Sequence, residues 1–196
     1  VRVGYTVTDI SHADSFRVKT AQRRFTAPAV VLATGGLSIP KMGATGFAYD
    51  VARRFGLNIV EPQPGLVPLK ATPEALGFSH LLAGVSLEAI ASCAGTSFRE
   101  NILFTHRGLS GPAILQISSY WRQGDTIALD LAPDCDASAF LLERKRAHPR
   151  AEARTALAEI LPARLAQALA EACLPPGPTA NIPDRSLAAF AARLKR

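Results

Sequence analysis

One segment, Val30–Gly36 (VVLATGG), constrains the fold of this chain more than any other. Its branched and apolar residues predict a short buried strand, and the chain then enters a turn of small residues. Two consecutive glycines leave no Cβ to keep another backbone or a ligand at a distance. A strand followed by such a turn is how an open α/β sheet presents a ligand at its carboxyl edge. The segment therefore predicts an α/β fold with a binding site at this turn.

A second glycine turn, Gly43–Gly46, follows closely and leads into a predicted helix. That helix should run from about Gly46 to Phe55, with Thr45 as its N-cap and Gly56 as its C-terminal stop. A helix N-terminus placed beside the first turn would favour a negatively charged ligand.

The residues before the first turn predict a β-meander. Residues 1–8 and 16–20 alternate apolar and polar side chains, and Pro28 precedes the apolar run 29–32. Closely spaced prolines after residue 61 exclude a helix there and predict an extended crossover. We therefore place a domain boundary near Glu61, with residues 1–61 as the first domain.

Residues 62–135 predict a small β-rich, barrel-like domain interrupted by one helix. Ser110 is a suitable N-cap for this helix, Pro112 is tolerated in its first turn, and Gly124 would end it. The predicted strands are Leu66–Leu69, Val85–Cys93, Glu100–Thr105 and Thr126–Leu131.

Residues 136–196 predict a helical subdomain that carries no recognisable chemistry. Apolar residues recur every four positions from Leu157 to Cys173, which is the spacing of one helix face. Pro162 interrupts that pattern and is expected to start a new helix, and Asp184 can cap a final one.

Composition narrows the classes of protein to which the chain can belong. Hydrophobic residues make up 48% of the chain and charged residues 19%, which excludes a disordered tail. No apolar run is long enough to cross a membrane, and the three distant cysteines indicate neither a disulfide framework nor a metal site. A cytoplasmic protein with reduced thiols is the expectation.

The net charge of +6 lies mainly in the helical region. Residues 136–196 have 10 Lys/Arg against 6 Asp/Glu, whereas residues 1–135 have 12 against 10. No aromatic residues interleave with these helical cations, as a stacking surface for bases would require. Nucleic-acid binding is therefore not expected. The alternative function from these residues is a non-catalytic module whose basic helices dock an acidic partner or nucleic acid.

Four segments together resemble one family of flavoproteins. The longest are Val30–Asp50 (VVLATGGLSIPKMGATGFAYD) and Leu103–Leu115 (LFTHRGLSGPAIL), with Pro64–Leu69 and Leu82–Leu87 between them. They resemble the YhiN/BaiN-like flavoproteins, also called the aminoacetone oxidase family, which are NAD(P)/FAD-dependent oxidoreductases. The resemblance implies the end of a Rossmann-like FAD domain followed by a β domain and a helical insert.

The same resemblance implies a cofactor and a set of site residues. It implies FAD, NAD(P)H as a possible reductant, and a small-molecule substrate, ranging from unsaturated carbonyl compounds to amines. Phe47 stands where some related flavoproteins place an acidic residue, so a side-chain bond to FAD is not expected there. The implied cofactor-binding residues are Ala33, Thr34, Gly35, Gly36, Gly43, Thr45 and Gly46.

His106 and Arg107 are the candidate catalytic residues. They lie at a predicted strand end, where side chains often converge on ligands. An imidazole or a fixed guanidinium can polarise a substrate carbonyl or stabilise an anionic flavin. The alternative is that His106 is structural.

No GxGxxG turn occurs in the sequence. The flavoproteins in question use that turn to hold the FAD pyrophosphate. The chain is therefore expected to be an internal fragment that needs the remainder of the FAD domain as a partner. Alone, it should be inactive and bind FAD weakly.

Overall fold

The computed structural model describes residues 1–195 and divides into two compact units. The first unit spans Val1–Pro62, and the second begins at Gln63.

The first unit is a three-stranded antiparallel sheet with one helix. Its strands lie in the order β1 (Val7–His12), β2 (Phe16–Thr20) and β3 (Arg24–Ala27), and its helix is α1 (Phe47–Arg54). Phe16 on β2 contacts Phe55, just after α1, with ring centroids 5.9 Å apart. These contacts give the unit a small apolar centre.

Two of the three strands in the first unit differ from the prediction. The first was expected at residues 1–8 and the third at 29–32, but the strands form at Val7–His12 and Arg24–Ala27. Thr20 causes the second shift, because its Oγ1 accepts from the amides of Gln22 and Arg23 and closes a tight turn. Arg24 then pairs with Lys19 immediately after the turn.

The predicted strand of the Val30–Gly36 segment does not form. Residues 29–36 have no regular structure, and Val31 is 88% exposed. An apolar run becomes a strand only when another strand pairs with it, and this run finds no partner among residues 1–195. The Rossmann-like end of the predicted fold depends on that strand and is not confirmed.

The second unit is built on a curled five-stranded sheet in which every pairing is antiparallel. The hairpin at its centre turns at Ala94 and Gly95, which both have positive φ, as a two-residue hairpin turn requires. The order in the sheet is β4 (Leu69–Lys70), β7 (Gly108–Ser110), β6 (Thr96–Thr105), β5 (Ser86–Cys93) and β8 (Ala128–Asp130). This sheet is the barrel-like part of the predicted fold.

Two helices cover the sheet. Helix α3 (Pro112–Ile117) buries Ile114 and Ile117 completely, and it ends well before Gly124, where the sequence predicted its end. Helix α2 (Pro73–Leu81) was not predicted. Its start signals are present, because Thr72 precedes a proline at the first helical position. The apolar residues of this segment are not concentrated on one face of the helix, so their spacing did not predict it.

Residues 137–195 contain four α-helices joined by short loops. The four helices are α4 (Ala137–Ala147), α5 (Ala153–Leu157), α6 (Ala163–Cys173) and α7 (Asp184–Leu194). Asp136 caps α4, accepting from two backbone amides at 3.1 Å. Pro162 separates α5 from α6. The buried residues of these helices form one continuous apolar core with the sheet.

In the part of the chain that the structure describes, no helix is long and apolar enough to cross a membrane. Across residues 1–195, His, Cys, Asp and Glu side chains do not assemble into a group able to hold a metal ion.

Candidate functional site

The two glycine turns named by the sequence lie against each other in the first unit. A Cβ placed on Gly35 would lie 3.4 Å from the Ala44 Cβ. A Cβ on Gly36 would lie 3.6 Å from the Tyr49 hydroxyl oxygen, and one on Gly46 would lie 3.8 Å from a Leu37 methyl group. The structure thus brings the Ala33–Gly36 segment, the Gly43–Gly46 turn and the start of α1 into one place.

Local conformation explains why glycine is used at two of these positions. Gly35 has φ +73°, and Gly43 has φ +83°. Gly43 ends a 3-10 helix, Pro40–Met42, by donating its amide to the Pro40 carbonyl oxygen at 3.0 Å. Side chains rarely adopt these backbone angles, so the turns need glycine whatever they bind.

The start of α1 has a backbone-capping threonine one position earlier than its N-cap. Thr45 Oγ1 accepts from the Phe47 amide at 3.4 Å, while Gly46 occupies the N-cap position itself. The sequence had placed Thr45 at the N-cap. Phe47 is half-buried and offers no polar group to a ligand.

The surface around the turns is apolar and exposed. Val31 is 88% exposed and Met42 is 80% exposed. Exposed apolar groups beside a glycine turn can contact a flat apolar ligand ring, while the backbone amides of the turn can bind its anionic part.

His106 and Arg107 belong to the second unit, whereas the two glycine turns belong to the first. Both are exposed on the turn between β6 and β7. The Arg107 amide donates to Thr105 Oγ1 at 3.2 Å, and its carbonyl oxygen accepts from the Ala71 amide at 2.8 Å. The short strand β7 separates this turn from α3, whereas the sequence placed His106 directly before a helix N-terminus.

The glycines beside His106 have a structural role that sequence reasoning missed. A Cβ on Gly108, which has φ +144°, would overlap the Leu69 carbonyl oxygen. A Cβ on Gly111, which has φ +93°, would lie 2.6 Å from the Asn101 carbonyl oxygen. The pair of glycines allows β7 to fit between β4 and β6. The sequence did contain a signal for this close approach, because Gly108 and Gly111 follow directly after a predicted strand.

Four cations of the helical region have carboxylate partners. Lys145 Nζ lies 2.7 Å from Asp184 Oδ1 and also donates to the Ile182 carbonyl oxygen at 2.6 Å. The hydrogen bond from Lys145 lowers the pKa of Asp184. Further pairs join Arg144 to Glu159, Arg154 to Glu152, and Lys195 to Asp130.

The three cysteines are free thiols. Burial raises the pKa of Cys93 and of Cys135, which keeps both protonated at neutral pH. Neither is suited to act as a nucleophile.

Comparison with known proteins gives a family and two relatives. Residues 63–196 match the family model for the HI0933-like protein barrel and H2TH domain. A ribosomal RNA dihydrouridine synthase of Escherichia coli (strain K12) is 46% identical over 159 residues, which cover 81% of this chain and 38% of that protein. The protein of the same name from Haemophilus influenzae (strain ATCC 51907 / DSM 11121 / KW20 / Rd) is 40% identical over 139 residues, covering 70% and 34%. The chain spans well under half the length of these relatives.

These relatives overturn two expectations from the sequence. The assignment to the YhiN/BaiN-like, aminoacetone oxidase family is wrong, because the relatives are named ribosomal RNA dihydrouridine synthases. The expectation of a small-molecule substrate, with nucleic-acid binding not expected, is wrong for the same reason.

The family model covers well over half of the chain, including the whole five-stranded sheet and helices α2 to α7. The chain therefore belongs to the HI0933-like family, which is related to flavoproteins.

Proposed function

We propose that this chain is part of an FAD-linked oxidoreductase that reduces uridine in ribosomal RNA. The observation that carries the proposal is the contact between the two glycine turns at the start of α1. The names of the two relatives supply the substrate and the reaction type.

The residues around the turns fit FAD. The backbone amides of Ala33–Gly36 and of Gly43–Gly46 would bind the diphosphate, whose charge is favoured near the N-terminus of α1. A Cβ on Gly43 would have no atom within 4 Å, so the backbone there is open to a ligand. The exposed side chains of Val31 and Met42 would contact the apolar part of the cofactor.

When bound in its reduced form, FAD would supply a hydride to one carbon of the uracil C5–C6 double bond, and a proton would be added to the other carbon. We assign substrate contacts to His106 and Arg107, which are exposed on one turn. The Arg107 guanidinium would hold a phosphate or a uracil carbonyl, and an imidazole N–H of His106 would donate to the base. In this scheme, residues 1–61 close the FAD domain, 62–135 form the β domain and 136–196 form the helical subdomain.

Neither comparison supports NAD(P)H as the reductant. The alternative of a non-catalytic module with basic docking helices is less favoured, because four of the helical cations already have carboxylate partners.

The test uses the full-length protein. Purified protein should show flavin absorbance, and ribosomal RNA incubated with its reduced form should gain two hydrogens at a uridine, as detected by mass spectrometry of nucleosides. A matched variant, Gly35→Val, should lose the flavin. Flavin-free wild-type protein, or RNA unchanged by the reduced flavoprotein, would refute the proposal.

A further inference from the structure

A small cleft lies between helix α2 and strands β4, β7 and β6 of the five-stranded sheet. Its volume is about 220 Å³. Strand register places Leu69 opposite Leu109, and Leu109 opposite Phe104, so these three side chains share one face of the sheet. They form the floor of the cleft. Pockets for drug-sized ligands have roughly 300–1,000 Å³, so this cleft has room for a single small ring.

Helix α2 forms the opposite wall of the cleft. Ala75, Phe78 and Ser79 line it, and their spacing of three and four residues places them on one face of the helix. Leu76 and Leu81 are instead 43% and 57% exposed. A helix that served only to cover the sheet would turn its leucines inward, because burying them stabilises the fold. Here two of the three inward side chains are small, and the cleft is the space that they leave.

The polar side chain on this wall lacks a protein partner. Ser79 is only 5% exposed, and within residues 1–195 its hydroxyl makes no hydrogen bond. No fully enclosed side-chain nitrogen or oxygen of the described residues is left unbonded, so the Ser79 oxygen must reach open space. The cleft that Ser79 lines is that space. Because buried polar groups are nearly always hydrogen-bonded, this hydroxyl indicates a ligand with a polar edge.

The cleft is preformed and partly aromatic. The rings of Phe78 on the wall and Phe104 on the floor meet edge to face, with centroids 6.5 Å apart. Arg164 Nη2 donates to the Leu81 carbonyl oxygen at 2.5 Å, which holds the end of α2 in place. Aromatic walls with one free polar group suit a flat ring that has hydrogen-bonding atoms on its edge.

The turn beside the cleft carries uncompensated positive charge. Ala71 lines the cleft, and its amide donates to the Arg107 carbonyl oxygen at 2.8 Å, so the turn with His106 and Arg107 adjoins the cleft. Among residues 1–195, no carboxylate oxygen lies within 4 Å of the Arg107 guanidinium. Glu74, in the first turn of α2, is exposed and does not line the cleft. The charge favours a ring that is attached to a phosphate backbone.

We propose that this cleft binds one unpaired uracil base of the RNA substrate. The ring would contact Phe78 and Phe104, and the Ser79 hydroxyl would hydrogen-bond to its edge, whose carbonyl oxygens accept and whose N3–H donates. Arg107 would contact the adjoining phosphate. The inference rests on the proposed function, because it gives the RNA of that reaction a defined place of contact.

The first experiment fills the cleft of the full-length protein. Ala75→Leu adds bulk inside the cleft, whereas Gly77→Leu introduces the same side chain two positions away, where a Cβ would meet no atom within 4 Å. Leucine is a good helix former, so both variants should keep α2. Binding is measured by fluorescence anisotropy with two oligoribonucleotides, one of which has a single uridine where the other has an abasic ribose. Circular dichroism and flavin absorbance check that each variant is folded and keeps its cofactor.

The wild-type protein should prefer the oligonucleotide that contains uridine. The preference should be roughly 5- to 150-fold, which is the range for the contacts of one base. Gly77→Leu should keep this preference, and Ala75→Leu should lose it.

The second experiment removes only the hydroxyl. Ser79→Ala should weaken binding of the uridine oligonucleotide roughly 2- to 13-fold, the range for one hydrogen bond, and should leave binding of the abasic one unchanged. Its urea midpoint should not fall, because the hydroxyl bonds to no protein group and alanine favours the helix. A lower midpoint with unchanged RNA binding would make the hydroxyl structural and overturn the inference.

Two results separate this inference from the proposed function. If Ala75→Leu still prefers the uridine oligonucleotide, the cleft is not the place where the base binds, and the proposed function stands as long as the wild-type protein reduces uridine in ribosomal RNA. A wild-type protein that neither distinguishes the two oligonucleotides nor reduces uridine would overturn both.

Discussion

Replacing Gly111 by alanine should destabilise the second unit far more than the same change at Gly84. Both glycines have a positive φ, +93° and +88°, so both variants carry a backbone strain of about 1–3 kcal/mol. At Gly84 the new Cβ would meet no atom within 4 Å. At Gly111 it would lie 2.6 Å from the Asn101 carbonyl oxygen and 2.9 Å from the Ile102 Cα, and both are backbone atoms that cannot rotate away.

The extra cost at Gly111 comes from moving β7 away from β6. Overpacking of this kind costs about 1–3 kcal/mol. Weakening the Leu103–Ser110 pairing adds about 0.5–1.5 kcal/mol for each hydrogen bond lost. Gly111→Ala should therefore reduce the free energy of unfolding by about 2.5–7.5 kcal/mol, against about 1–3 kcal/mol for Gly84→Ala.

Urea unfolding of both variants, followed by circular dichroism, measures the difference. The slope of free energy against urea concentration should stay constant, since a change in the slope would report a changed unfolded state. If the free energies of unfolding of the two variants differ by less than about 1 kcal/mol, β6 does not crowd position 111. The structural explanation given for Gly111 is then refuted.

Three further predictions concern the site and the surface. Gly35→Val should abolish FAD retention, measured by flavin absorbance, whereas Gly4→Val, which has a similar φ but no atom near its Cβ, should retain it. His106→Ala should keep the flavin and slow uridine reduction; unchanged turnover would make the histidine structural. The pKa of Asp184 is lowered in the folded state, so its stabilising contribution is complete above its unfolded pKa of about 4 and is lost as the pH falls through the folded value. Between about pH 5 and pH 2, the urea midpoint of Asp184→Asn should therefore decrease less than that of the wild-type protein. An equal decrease in the variant and the wild type would contradict the role of Lys145.

Local signals in the sequence identified the elements whose hydrogen bonds close within a short segment. The hairpin strands β5 and β6, helix α1, and the break at Pro162 were predicted to within a few residues. Helix bonds join residues four apart, and a hairpin joins neighbouring strands, so the pattern of side chains over a short window is enough to specify them.

The sequence also drew attention to several glycines, but it did not identify the structural reason for all of them. It named Gly35 and Gly43 as backbone positions near a ligand, and the structure places their two turns in contact. It treated the glycines after His106 only as part of a family motif. Their purpose is the close passage of β7 between two strands, one of which is 39 residues earlier in the chain at Leu69.

By itself, the sequence determined the local elements and the positions where only glycine can stand, because propensity and backbone sterics act over a few residues. Tertiary structure decided which apolar run becomes a strand, which cations are neutralised and which remain free. Val30–Leu32 has the composition of a strand but has no partner strand among residues 1–195, whereas a turn at Thr20 brings Arg24–Ala27 to β2. Lys145 meets Asp184 across 39 residues, while among residues 1–195 no carboxylate oxygen lies within 4 Å of the guanidinium groups of Arg17 and Arg24. Pairing of strands and of charges depends on residues distant in the chain, and only the folded chain sets which of them meet.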